Sequence, residues 1–188
     1  MFDPNIILKT ERLTLRFINK DDNLAMYENI FHDEDVLKYF IADYIDDFSK
    51  IDMDKSRDFA IAREVYIFSV IITKTNENIG MMLECSKPDK YFQNVEIGYA
   101  FGKKYWNNGY ATEALKEMIE FEFQKGISKV YSGYITENIS SKRVMEKCNM
   151  LFECKKIKEI KYHDMFYDLE YYYILNPKVF NEGGIKND

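Results

Sequence analysis

Between Asn94 and Lys161 the apolar residues switch repeatedly between a period of two and one of about 3.6, and this alternation narrows the possible folds more than any other property of the chain. Asn94–Phe101, Lys129–Ile135 and Leu151–Lys161 have the length and the β-branched and aromatic content of strands. Tyr110–Lys125 and Asn138–Cys148 between them have helical spacing. Strand–helix–strand units of such lengths are crossover connections, which place the strands they join parallel. Upstream, Leu13–Phe17 alternates apolar with polar and reads as a first strand. Asn19–Asp22 then offers cap chemistry to a helix with Leu24, Tyr27, Ile30 and Phe31 on one face. A short helix near Val36–Phe40 and a second across Asp54–Arg63 follow. Tyr66–Lys74 and Asn78–Cys85, joined by turn-forming residues, predict a hairpin. With the closing antiparallel pair Leu151–Lys161 and Phe166–Leu175, the expected architecture is α/β (α+β), a mixed sheet with helices on both faces.

The 188 residues suit one domain able to bury its own core, with no repeat or Pro/Ser-rich linker dividing them. We expect a core over about residues 6–176 and a flexible tail over 177–188. Against 32 Asp and Glu stand 26 Lys and Arg, and the net charge of -6 argues against nucleic acid as the main ligand. Met1–Pro4 lacks the features of a secretory leader, and no apolar run approaches the ~20 residues of a membrane helix. A cytoplasmic protein is the expectation. Three cysteines without C-x-x-C spacing (Cys85, Cys148, Cys154) and two distant histidines (His32, His163) disfavour a disulfide scaffold and a metal site.

The segment richest in chemistry runs from Val95 to Ala114. A strand enters a turn containing Asn107, Asn108 and Gly109, and a helix opens directly after it, its buried face set by Ala111, Ala114, Leu115, Met118 and Ile119. Orphan N–H groups and the positive end of the helix dipole make an anion site there, and Gly109 and Ala111 let a phosphate approach the main chain. The expected ligand carries a pyrophosphate. A plain strand-to-helix turn explains the same residue types. The segment is neither a Walker A loop nor a three-glycine dinucleotide fingerprint.

The run Glu96–Ala114 resembles the acetyl-coenzyme A motif of the GNAT superfamily of N-acetyltransferases, Gln/Arg-x-x-Gly-x-Gly/Ala, here filled by Trp106, Asn107, Asn108, Gly109, Tyr110 and Ala111. The tract Asn138–Met150 is similar to the Asn-x-x-Ser-x-Arg-Val-x-Glu-Lys-x-Gly-Phe of the RimJ/RimL-like subfamily, and the opening Leu8–Arg16 is typical of it too. The resemblance spans roughly residues 7 to 175. Trp106 and Asn107 depart from the usual Gln/Arg and Gly, removing a side-chain donor but leaving the backbone cradle. Asn149 replaces a glycine at a helix end, where Asn best tolerates a left-handed backbone.

What the resemblance implies is a GNAT-like, mostly antiparallel sheet in which two parallel strands splay to admit acetyl-coenzyme A. Pantetheine would pair with the backbone of Tyr99, Ala100 and Phe101, and the pyrophosphate would lie on the amides of Asn107 to Thr112. Asn138 either caps its helix or contacts the cofactor, or does both. Ser141 would lie near the thioester sulfur. Glu96 occupies the position of the family's catalytic glutamate; a solvent-facing strand carboxylate is the bland alternative. The tyrosine serving many relatives as general acid aligns with Met145, so Ser141 inherits that part by elimination, and a strand amide near Tyr99 or Ala100 would meet the oxyanion. Lys142, Arg143 and Lys147 suit a helix C-terminus, and Lys147 is expected also to reach the cofactor phosphates. No base is placed to activate Cys148 or Cys154, which disfavours a covalent cysteine mechanism.

The acidic, aromatic stretch Asp33–Phe48 lies where the family keeps the wall of its acceptor groove, opposite the turn Lys161–Asp164, and carboxylates beside rings attract ammonium groups. The expectation is therefore a metal-independent transfer of acetyl to an amine within a ternary complex. The acceptor is a protein α-amine, or a small amine such as a polyamine, an aminoglycoside or an amino acid. The protein would be a monomer or homodimer, with no nucleic-acid or membrane partner. A non-catalytic acyl-coenzyme A sensor is the rival from another class.

Overall fold

In a computed structural model, which describes residues 2–88, 91–162 and 164–181, the described residues form one open sheet of eight strands. The chain opens with β1 (Ile7–Lys9) and β2 (Leu13–Phe17), then α1 (Asn23–Met26), a π-helical turn over Tyr27–Phe31, α2 (Glu34–Leu37) and α3 (Met53–Arg63). A hairpin of β3 (Ile67–Ile72) and β4 (Glu77–Glu84) leads to β5 (Asn94–Phe101), α4 (Tyr110–Gln124), β6 (Lys129–Ile135) and α5 (Ile139–Lys147). The hairpin of β7 (Leu151–Tyr162) and β8 (Met165–Leu175) and a short α6 (Pro177–Asn181) close it. No helix among the described residues is long and apolar enough to cross a membrane.

The strand order is β1-β2-β3-β4-β5-β6-β8-β7, with β5–β6 the parallel pair and the other neighbours antiparallel. The crossover reading thus holds for β5–α4–β6 and needs correction after α5. There β8 inserts between β6 and β7, because the closing hairpin docks by its second strand. One core cluster joins Val95, Ile97 and Phe101 of β5 to Leu115 and Met118 of α4 and Met145 of α5. The other joins Ala100 to Met26, Ile30, Val36 and Met81 on the opposite face. Period-two alternation along β5 is what sends neighbouring residues into different cores.

Local departures from expectation have identifiable causes. The π-helical turn rotates the first helical segment so that Met26, Asn29 and Ile30 are buried while Leu24 stays exposed. The residues expected as a loose tail begin with α6, tied down by Asn176, whose buried side chain donates to the carbonyls of Phe123 and Ile127 at 3.1 and 2.9 Å. The rest of the expected tail, residues 182–188, lies outside the described residues. Asn149 is left-handed (φ 60°) as its position predicts, and bonds from Asn149 N to Glu146 O (3.0 Å) and Met150 N to Met145 O (3.1 Å) close α5 as a Schellman motif.

Edge strand β7 is mostly exposed, and its register against β8 slips twice, between Phe152 and Cys154 and between Lys156 and Ile160. At the second slip Lys158 takes φ 49°, and its amide donates to Asp168 Oδ1 at 2.9 Å.

At the far end of α4, Glu122 is buried on the helix face expected to be apolar. Lys125 Nζ hydrogen-bonds its Oε1 at 3.1 Å and Glu84 Oε1 at 2.5 Å, and the lysine lies over the rings of Tyr66 and Phe121. Burial, reinforced by the Glu84 carboxylate, pushes Glu122 up to about 8, with Lys125 pulling the other way. The folded chain therefore holds a proton there that the unfolded chain loses near pH 4.5, so stability falls as pH rises from about 5 to about 8. Glu122→Gln should flatten that decline and leave the melting temperature near pH 5 little changed. At pH 8 we expect it to gain about 1–3 kcal/mol, measured by thermal melts across the range.

Candidate active site

β5 and β6 pair over three rungs, Asn94–Lys129, Val95–Val130 and Glu96–Tyr131, and then part. Beyond that point β5 stays on β4 and β6 stays on β8. Bonds from Cys85 N to Glu96 O and Gly102 N to Ile79 O fix which backbone groups of β5 turn toward β4, namely those of the even-numbered residues. Those of Ile97, Tyr99 and Phe101 face the split. Two of the three carbonyls there are taken, Ile97 O by Ser132 Oγ and Phe101 O by the Trp106 indole, both at 2.7 Å. Tyr99 is left to offer main-chain groups to a ligand, whereas those of Ala100 pair with Met81.

The split leads to the N-terminus of α4. Gly109, the N-cap, is left-handed (φ 81°) and no side chain caps the helix, so its first amides are open to a ligand. Asn107 is also left-handed (φ 61°), and Asn108 Nδ2 donates to the carbonyls of Tyr105 and Trp106 at 3.2 and 2.9 Å. Trp106 and Asn108 thus use their side chains to hold the turn. A cavity of about 310 Å³ opens at this helix end, lined by Glu11, Gly109, Thr112, Glu113, Lys116 and Lys147. Uncapped amides and two lysines suit the phosphates of coenzyme A.

The sequence reading missed Arg12, which reaches the same turn from the β1–β2 connection. Its NH1 donates to Asn108 O at 3.0 Å, its Nε to Glu113 Oε2 at 2.6 Å, and its guanidinium lies 4.6 Å from the Tyr110 ring centroid. Thr10 Oγ1 and the Arg12 amide add bonds to Glu113 Oε1 at 2.5 and 2.8 Å. Burial works against the Glu113 charge, but these donors and the Arg12 charge hold its carboxyl below the usual range. An arginine about a hundred residues away carries no local periodicity, so only its place in Leu8–Arg16 could have marked it.

Across the split, the Tyr99 phenol passes from β5 to α5 and sits 2.7 Å from Ser141 Oγ and 3.2 Å from Ser141 O. Burial raises the Tyr99 pKa well above the ordinary phenol value, so it is a neutral hydroxyl. Asn138 caps α5, accepting from Ser141 N at 3.2 Å and Ser140 Oγ at 2.6 Å. Its side-chain oxygen is committed to that work. Cys148 lies buried with Sγ 3.5 Å from Thr112 O, and burial pushes its thiol up to about 12. It is not a thiolate at neutral pH.

Glu96 projects from the other face of β5, half-buried among Cys85, Tyr131, Tyr171 and Lys156. Burial raises its pKa, opposed by Lys156 and by a hydrogen bond from Tyr131. The base candidate and the Tyr99–Ser141 hydroxyls thus flank the split from opposite faces. Beside it the Tyr171 ring lies so close over Gly133 that a Cβ there would fall 2.6 Å from the ring. Gly133→Ala is expected to cost about 1–3 kcal/mol in denaturant titration by pushing Tyr171 aside.

The acidic stretch is less available to a cation than its composition suggests. Asp33 and Asp47 cap local helical turns, and Asp35 and Asp46 pair with Lys103 and Lys50. His32 stacks on Tyr27 and tilts against Tyr44, and its Nδ1 lies 2.9 Å from Ile45 O. The stretch meets the β7–β8 hairpin where Tyr162 Oη donates to Ala42 O at 2.6 Å; His163 of the adjoining turn lies outside the described residues. Among the described residues no group of three or more His, Cys, Asp or Glu is arranged to hold a metal.

Known proteins share this architecture. A family model described as an acetyltransferase (GNAT) domain matches residues 12–151. The N-acetyltransferase YnaD of Bacillus subtilis is 30% identical over 178 residues, which cover 93% of this chain and 99% of that one. A GNAT-family acetyltransferase structure from Bacillus anthracis superposes with a TM-score of 0.78 at 29% identity, covering 91% of this chain and 99% of the other. Spermidine N-acetyltransferase from Vibrio cholerae, solved with CoA and spermine, is similar in fold alone, with a TM-score of 0.77 at 17% identity over 90% of this chain and 98% of its own. With most of its length matched and the split strands running onto an uncapped helix, the chain belongs to the GNAT family of N-acetyltransferases.

Proposed function

We propose that this acetyltransferase moves the acetyl group of acetyl-coenzyme A to a primary amine by direct attack in a ternary complex, and that it belongs to the RimJ/RimL-like branch. The observation carrying the site assignment is the three-rung β5–β6 pairing, which opens onto the amides of Tyr99 and of the first turn of α4. Tyr99 N–H would pair with pantetheine or meet the developing oxyanion, and Lys147 would attend the phosphates. An alkyl ammonium with a pKa near ~10 must lose a proton before it attacks. Glu96, its carboxyl raised by burial, is the base we assign, acting directly or through one water. We read residues 6–176 as one catalytic unit working in the cytoplasm.

A protein α-amine is the acceptor we favour, from the Asn138–Met150 tract and the opening segment. A small amine is the second reading, favoured by the Tyr162–Ala42 bond, which ties the two walls of the groove together. Thiol release measured over a panel of N-terminal peptides, polyamines, aminoglycosides and amino acids decides between them. Tight cofactor binding with no release for any acceptor would leave the sensor reading standing instead.

A further inference from the structure

The rings beside Glu96 already carry cations that belong to this chain. Tyr131 pairs with Glu96 at the last rung before the split, and Tyr171, packed against Gly133, has its ring centroid 6.1 Å from that of Tyr131. Lys156 Nζ lies 4.8 Å from the Tyr171 centroid, and Lys129 Nζ lies 5.3 and 5.9 Å from the centroids of Tyr131 and Tyr173. An acceptor rich in ammonium groups would have to displace these lysines from the rings or sit beside them, where like charges repel. The Lys156 charge acts on Glu96, Tyr131 and Tyr171 alike, so it faces the space where an acceptor nitrogen must arrive to meet Glu96. Lysines on an edge strand have a plain use in keeping it from pairing with another strand. That use needs only charge and exposure. It does not account for a β7 lysine turned back over a ring of β8, nor for Lys129, which stands on the interior strand β6.

Lys156 pairs with Glu159 at 3.0 Å, and the two side chains are 46% and 42% exposed. A pair that open to water is weak, and its carboxylate exchanges readily for another. Lys129 is held by Glu153 at 2.7 Å with both side chains less exposed, which makes Lys156 the readier of the two to change partner. We infer that the acceptor is an amine that also carries a carboxylate, its nitrogen placed at Glu96 and its carboxylate taken by Lys156 in exchange for Glu159. This rests on the reading of Glu96 as the base and of the split as the acetyl-coenzyme A site. A free amino acid and the N-terminus of an acidic peptide present the same two groups. Lys156 is then a specificity residue, touching the acceptor away from the reacting atoms, and polyamines are poor acceptors for want of anything to give it.

The test is thiol release with acceptors matched in shape and differing in charge: leucine against leucinamide, a C-terminally amidated Ser-Glu peptide against its Ser-Gln counterpart, and spermidine. With kcat/KM referred to the neutral amine, the native enzyme should favour the carboxylate member of at least one pair by about tenfold or more, the worth of a charge-assisted hydrogen bond. The pair that shows the preference tells amino acid from peptide. Spermidine should be the poorest acceptor. Lys156→Met keeps the stem and removes the charge, and should bring that preference within about threefold while leaving the amide members and the KM for acetyl-coenzyme A within about threefold of native. Lys156→Glu should turn the preference toward spermidine. A native enzyme that uses the amides or spermidine as well as the carboxylates overturns the inference without recourse to any variant. So does a preference that Lys156→Met leaves intact. Coenzyme A binding in calorimetry with no thiol release for any acceptor would remove the transferase reading itself, an outcome distinct from release that is indifferent to acceptor charge.

Discussion

Glu96→Gln is expected to lower kcat at neutral pH about a hundredfold, with little change in the affinity for acetyl-coenzyme A. The amide fits the same half-buried space among Tyr131, Tyr171 and Cys85 but accepts no proton from the acceptor. Because burial raises the Glu96 pKa, the native rate should climb as pH passes through that raised value and then level off. The variant should lack this limb and recover toward the native rate only at high pH, where the amine deprotonates unaided. Equal rates for the two enzymes across the whole pH range would remove Glu96 as the base.

Gly109→Glu should raise the dissociation constant for acetyl-coenzyme A at least about tenfold, ~1.4 kcal/mol. The change puts bulk and a negative charge at the uncapped mouth of α4, and it also forces a side chain into a backbone of φ 81°. Gly109→Asn separates the two effects, since Asn tolerates that conformation and is uncharged. We expect Asn to leave the constant within about threefold, and calorimetry on both folded variants reads the difference. A glutamate variant that is folded and binds as tightly as the native protein would move the pyrophosphate elsewhere.

The elements nearest the site were readable because their residues obey one period each. Asn94–Phe101 and Lys129–Ile135 appear as expected, and α4 starts at Tyr110. The alternation along β5 also separates Glu96 from Tyr99, a fact available from residue count alone. What sequence could not supply was partnership over distance. Arg12 meets Glu113, Tyr99 meets Ser141, and β8 displaces β7 beside β6, and none of these leaves a local pattern. The acidic stretch misled in the opposite way. Its carboxylates looked like a lure for ammonium groups, but Asp33 and Asp47 are spent on orphan amides at helix starts, where Asp is a favoured cap in any protein. Glu122 broke the expected apolar face of α4 because Lys125, one turn on, pairs with it inside the protein.

An open sheet invites growth wherever its last strand presents an even row of donors and acceptors. Here β1 has three residues, too few to template a neighbour, while β7 has twelve and is the vulnerable border. Its two register slips break that row into short pieces, and Lys155, Lys156, Lys158 and Lys161 place charge along it. A second β7 brought alongside would find its bonds out of step after a few residues. The same irregularities that look like flaws in the ladder are therefore a guard against fibrillar stacking, and straightening them would leave the fold intact while making concentrated solutions prone to aggregate.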